Sequence, residues 1–211
     1  MIRKVTLAEL SEMASNARES IWSQAKSVGR EPRIYLHWTA GHYANGNLSQ
    51  LYLDDYHIAI DYDGSIWVDH DLDEVLAHTW KRNTGSVGIT LACGVGATTN
   101  DLGSEPPTKK QIESMAQVIW VVADALWLSV CKTFVLTHGE AADLEDQLFI
   151  HEAYGPKSTV ERWDLEYLGT EESPSYNPYA TDGSRGGDVL RGKAAWYRRT
   201  YGNAMESDLN E

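Results

Sequence analysis

The chain has 211 residues, 42% of them hydrophobic and 23% charged, a balance that suits one well-buried domain and excludes disorder as its main state. A formal net charge of −13 excludes a general nucleic-acid binder, which needs a basic surface to neutralise phosphates. It also gives no reason for attraction to an anionic membrane, but it leaves a neutral or zwitterionic polymer open as a substrate.

The first element predicted is a helix over 6–28. Thr6 with Glu9 makes a capping box, and Leu7, Leu10, Ala14, Ala17, Ile21 and Ala25 recur at helical spacing. Gly29 and Pro32 end it. Arg33 to Trp38 then reads as a buried strand that leaves into the small loop Thr39-Ala40-Gly41. A short helix is expected over 47–54. Tyr56–Ile60 and Ser65–Val68 are strands joined at Asp63-Gly64, a hairpin signal because glycine tolerates positive φ. Val87–Cys93 is a further apolar strand, and 95–106 a loop. Pro107-Thr108 opens an amphipathic helix over about 109–128, and Phe134–Thr137 is a strand that ends at His138. Beyond it the pattern weakens: a helix over 159–168, a Pro/Gly/Ser-rich loop over 170–188 and a basic, aromatic helix over 189–201. The order predicts an α/β fold, a mixed central β-sheet flanked by helices.

Other features are equivocal. Eight Trp and eleven Tyr against two Phe supply amphipathic rings that line sugar or peptide grooves, or sit in a core with the polar tip outward. Cys93 and Cys131 lie in apolar stretches without CxxC spacing and read as buried free thiols. The N-terminal residues lack the apolar core of a secretory signal. The expectation is a chain made in the cytoplasm with no membrane insertion, which needs a separate agent for release if it acts outside.

Two histidines stand at matching places, His37 and His138, each at the C-terminal end of a predicted strand. Strand ends on one edge of a sheet are where distant side chains converge. Neutral imidazole is a zinc ligand, and three protein ligands that leave a position for water make a catalytic zinc site. On pattern alone, each histidine is equally a satisfied polar residue at a strand end.

The surrounding segments add context. Ile34-Tyr35-Leu36-His37-Trp38-Thr39-Ala40, Tyr56-His57-Ile58-Ala59-Ile60-Asp61-Tyr62-Asp63-Gly64-Ser65-Ile66, Ser86-Val87-Gly88-Ile89, Pro107-Thr108-Lys109-Lys110-Gln111-Ile112 and Thr137-His138-Gly139-Glu140 occur in that order. Together they resemble the type-2 N-acetylmuramoyl-L-alanine amidases, a family that includes phage lysozyme-like amidases and peptidoglycan recognition proteins. The resemblance covers roughly residues 33–168. It implies an amidase or peptidoglycan-recognition-like fold, a Zn2+ cofactor, and peptidoglycan or a muropeptide as the partner. It implies zinc-dependent cleavage of the amide between N-acetylmuramic acid and L-alanine; with no secretory signal visible, the expected setting is a phage or prophage endolysin. A non-catalytic peptidoglycan-binding module and a cytosolic muropeptide-recycling amidase are the alternatives. Oligomeric state is left open.

By the same resemblance, the zinc ligands fall on His37, His138 and Asp164. The third of these follows from Arg162-Trp163-Asp164, which matches the family's basic residue two positions before a Cys or Asp ligand. The usual Pro-Gly after that ligand is absent, and His151 and Asp143 compete for the place. Tyr56 matches a Tyr beside the zinc water in the lytic and recognition branch. Thr90 stands where another branch carries a Glu. Tyr56 and Arg162 are therefore the expected catalytic groups, and Trp38, Thr39, His78 and Asn83 the expected substrate-binding residues. Glu140 is expected either to brace a ligand histidine or to lie at the surface. His42, His57 and His70 are given no metal role, and His57 should face away from Tyr56 because strand side chains alternate. The expected organisation is a zinc amidase domain over 1–169, including the helix 6–28, with the loop and helix of 170–211 packed on the same domain.

Overall fold

A computed structural model describes residues 1–145 and 163–208. A short edge strand, β1 (Arg3–Val5), precedes helix α1 (Leu7–Ser27). Thr6 accepts from the Glu9 N–H while the Glu9 carboxylate accepts from the Thr6 N–H, so the expected capping box forms. Strand β2 (Arg33–Trp38) follows, then a 3-10 turn (Leu48–Leu51), the hairpin strands β3 (Ile58–Ile60) and β4 (Ile66–Val68), and β5 (Ser86–Leu91). Helix α2 (Lys109–Ala125), capped by Thr108 and Gln111 in the same reciprocal way, leads to β6 (Val135–Thr137), α3 (His138–Glu145) and α4 (Gly186–Asp208).

The sheet order is β1-β4-β3-β5-β2-β6. The central pairs β3–β5, β5–β2 and β2–β6 are parallel, while β4 pairs antiparallel with β3 and with β1. This is the expected α/β fold with a mixed sheet flanked by helices. Ile34, Leu36 and Trp38 point from β2 into the main core shared with α1 and α2. Side chains alternate along a strand, so Tyr35 and His37 take the other face, where Tyr35 packs with Leu136 and with Ala141 of α3. The histidine face is therefore separated from the main core by the sheet itself.

Three expectations change. The strand β1 was not foreseen, since three residues at a sheet edge carry too little periodicity. Residues 163–168 form a turn and not the end of a helix; their apolar side chains are buried by tertiary packing, which imitates helical spacing. The rest of the helix expected there, 159–162, lies outside the described residues. The last helix begins at Gly186, inside the stretch read as loop, and packs on α2 through the Trp120–Tyr197 stack and the Lys193–Glu113 ion pair.

Candidate metal centre

The parallel register places the two histidines together. Leu36 pairs with Thr137 across β2 and β6, so His37 and His138 are the next residue on each strand path. His37 ends within the sheet, opposite Thr90. His138 begins α3, whose start is held by Glu140: its carboxylate accepts from the Thr137 N–H at 3.0 Å, and its own N–H donates to the Thr137 hydroxyl at 3.2 Å. The rings of His37 and His138 meet edge to face at 5.1 Å.

Asp164 comes to the same point from a distant part of the chain. One carboxylate oxygen, Oδ2, lies 3.1 Å from His37 Nδ1 and 3.6 Å from His138 Nδ1. Ligand atoms from the three residues all lie within 4.8 Å of one another, and all three residues are buried. Two ligand atoms bound at 2.0–2.1 Å to one tetrahedral zinc stand roughly 3.3 Å apart, so the two measured separations suit a shared ion. Two imidazoles and one carboxylate are also a donor set that zinc accepts while keeping a fourth position. The residues present therefore fit the ion. Asp143, a competing candidate, faces Arg185 at 3.6 Å. His151 and Arg162 lie outside the described residues.

A second imidazole stands behind the first. His37 Nε2 is 3.2 Å from His78 Nδ1, and His78 Nε2 is 3.2 Å from the Ser86 hydroxyl, which donates to the Asn83 carbonyl at 2.8 Å. If His37 offers Nδ1 to a metal, its Nε2 carries the proton and donates to His78. Ser86 then accepts from His78 and passes its own hydrogen to a backbone carbonyl, so the chain of donors runs in one direction. Burial, and then the neighbouring His37, hold the pKa of His78 well below the usual histidine value, which keeps Nδ1 able to accept. Gly88 makes the space: a Cβ there would stand 2.6 Å from His78 Cγ.

Tyr56 and His57 both precede β3, so strand alternation does not separate them: the His57 ring lies 5.5 Å from that of His78, which lies 5.3 Å from that of His37. His57 Nδ1 accepts the Gly88 N–H at 3.0 Å and its Nε2 donates to the Glu74 carbonyl at 2.8 Å, which fixes the neutral tautomer. Burial pushes its pKa down to about 4. Tyr56 sits just before β3, with its ring 5.0 Å from that of His37.

The four residues expected to touch substrate have these surroundings. Trp38 has no exposed surface and packs edge-on against Trp163 at 5.2 Å, so it supports Asp164 from the core side. His78, 4% exposed, stands 3.2 Å from the far nitrogen of His37. Thr39 accepts the Gly41 N–H and closes the loop after β2. Asn83 accepts the Thr79 N–H and closes the loop before β5. Glu140 is neither a brace for a histidine ring nor a surface group. It is buried against Arg191, at 2.6 and 2.8 Å.

The sequence matches the N-acetylmuramoyl-L-alanine amidase family over residues 29–162. The chain belongs to that family. No curated protein gives a significant match. Among solved structures, wild-type Drosophila PGRP-LB aligns with 51% of this chain and 68% of its own length, at 21% identity and a TM-score of 0.39. The fold assignment rests on the observed sheet order and not on that likeness. The amidase match contains His37, Tyr56, His78 and His138 but stops before Asp164.

Sequence reasoning missed the partners of the ligand segments, Arg185 and Arg191. The available signal was faint: a Glu two residues after each of two candidate ligands, Glu140 after His138 and Glu166 after Asp164, with two Arg downstream to meet them. No helix among the described residues is long and apolar enough to cross a membrane.

Proposed function

We propose that this chain is a zinc-dependent amidase that hydrolyses the bond between N-acetylmuramic acid and L-alanine in peptidoglycan. The observation that carries the reading is the convergence of His37, His138 and Asp164 on one buried point. His37 Nδ1, His138 Nδ1 and Asp164 Oδ2 would hold the ion. When bound, zinc supplies Lewis acidity, which lowers the pKa of a water toward about 7 and polarises an amide carbonyl.

The chain's own residues do the rest. The His78–Ser86 relay fixes the ring plane and tautomer of His37, the usual work of groups behind a metal ligand. Tyr56, beside His37, offers a phenolic hydroxyl that can donate to the oxygen developing charge on the attacked carbonyl and pass a proton to the leaving nitrogen. Arg162 is assigned an electrostatic part, because a guanidinium does not give up its proton. The presence of Tyr56, together with Thr90 rather than a carboxylate in register with His37, supports the lytic form of the reaction over muropeptide recycling, in line with the branch the sequence resembles.

The test is clearance of purified cell walls with and without a metal chelator, followed by mass spectrometry of the products. The reading expects chelator-sensitive clearance, with new N-terminal L-alanine and intact glycan. Binding to walls without any cleavage by the zinc-loaded protein would refute it and identify a binding module.

A further inference from the structure

We infer that the C-terminal segment is part of the metal centre, with Arg185 and Arg191 as positioning residues that clamp the backbone around Asp164 and His138. The inference rests on the zinc reading above. Each clamped ligand is followed two residues later by a buried glutamate, and each glutamate is gripped by two guanidinium nitrogens. Arg191 reaches Glu140 at 2.6 and 2.8 Å. Arg185 reaches Glu166 at 2.7 and 3.0 Å.

The clamps act on the ligand-bearing backbone itself. Arg191 also donates to the Val135 carbonyl at 3.0 Å, in the strand that delivers His138, and its partner Glu140 caps the start of α3. The Gly186 N–H donates to the Glu166 carbonyl at 3.0 Å. Between Asp164 and Glu166, Leu165 is held at φ +59°, a left-handed conformation that a residue with a branched side chain avoids unless its surroundings impose it. Arg185 also approaches Asp143 of α3 at 3.6 Å, so one guanidinium ties the turn that carries Asp164 to the helix that begins at His138.

Two glycines show how closely the parts are fitted. A Cβ at Gly139, the residue after His138, would stand 2.5 Å from a Glu166 carboxylate oxygen. A Cβ at Gly187, in α4, would stand 2.5 Å from a Glu140 oxygen. The carboxylate from each ligand segment thus fills space left open on a different element.

Holding α4 in place does not require this chemistry. A buried ion pair contributes little net stability, because desolvation offsets its Coulomb attraction, and apolar contacts attach a helix at least as well. Bidentate guanidinium–carboxylate geometry does add directional control, and a ligand set needs it when one member comes from a turn remote in sequence. Both Arg and Asp164 lie beyond the family match, which ends at residue 162. Asp164 and the Arg185 that braces its turn therefore both come from outside the matched stretch.

The experiment uses the full chain. Each pair is neutralised on both sides at once, as Arg185→Met with Glu166→Gln, or Arg191→Met with Glu140→Gln, so that no charge is left buried alone. Arg185→Lys and Arg191→Lys keep the charge and lose the fork. Lys193→Met with Glu113→Gln removes a remote α2–α4 pair as a control. Zinc affinity is read by competition with a chromogenic chelator, ligand geometry from the visible spectrum of the cobalt(II)-substituted protein, and folding from circular dichroism and melting of the metal-free protein. The expected result is a ten- to hundredfold loss of zinc affinity for each neutralised pair, with an altered cobalt spectrum, a smaller loss in the Lys variants and none in the control. If a neutralised pair does not fold, the Lys variants decide. Wild-type affinity and spectrum in the folded clamp variants would overturn the inference, as would an equal loss in the control. A wild-type chain that binds no zinc removes the zinc reading and this inference together. Zinc bound through Asp164 but indifferent to the clamps removes this inference alone.

Discussion

The two parts of the molecule that meet at the candidate metal centre position their side chains by different physics. His37 and His138 are placed by main-chain register: parallel strands β2 and β6 deliver them side by side, and sheet hydrogen bonding leaves little freedom in where they point. Asp164 sits in a turn whose neighbours are fixed by side chains, through Trp38–Trp163 packing and Glu166–Arg185 pairing. The first arrangement is inherited from the fold. The second has to be built residue by residue, so single substitutions break it more easily.

The largest effects should come from removing one proposed ligand from each part. His138→Ala and Asp164→Ala should both reduce wall hydrolysis to background, measured by turbidity clearance. Retained activity in Asp164→Ala alone would mean that the sheet-borne histidines suffice. Tyr56→Phe tests the chemistry in place of the scaffold: turnover should fall about a hundredfold or more, with zinc content unchanged in elemental analysis.

His57 probes the rigidity of the sheet half. Its pKa of about 4 in the fold, against an ordinary 6.5, means that the unfolded chain binds the extra proton between those values. Stability from this group is whole above pH 6.5 and is lost as pH falls toward 4, by about 3 kcal/mol in total. Urea unfolding of the wild type and of His57→Gln across that range should show the gap between them closing as pH falls. A gap that stays constant would mean that the neutral imidazole is not what the fold selects. The smallest effect is expected from Gly88→Ala, which displaces His78 from behind His37 and should weaken zinc binding roughly tenfold. His78→Asn, which keeps an acceptor near Nδ1, should weaken it less than His78→Ala.

Legibility in the sequence follows the same division. Strand runs such as Ile34–Trp38 and Phe134–Thr137 end at their histidines, so local hydrophobic pattern was enough to nominate His37 and His138. The fold class followed from the same pattern. Asp164 was reachable only through resemblance, since nothing local marks Trp163-Asp164-Leu165 as a turn and its apolar neighbours suggest a helix. The His37–His78 contact joins residues 41 apart in sequence, and the Glu140–Arg191 pair joins residues 51 apart. Neither leaves a periodic trace, because contacts between side chains on separate elements are set by how the elements pack. Burial of Trp38 was hidden for the related reason that an aromatic at a strand end reads alike whether it faces a groove or a core.

The decisive measurement is the zinc content of the purified chain, wild type beside Asp164→Ala. One zinc ion per wild-type chain should survive dialysis, with a marked loss in Asp164→Ala while its fold stays intact by circular dichroism. A folded wild-type chain that binds no zinc, or an Asp164→Ala chain that binds it as tightly as the wild type, would rule out a zinc centre built on His37, His138 and Asp164.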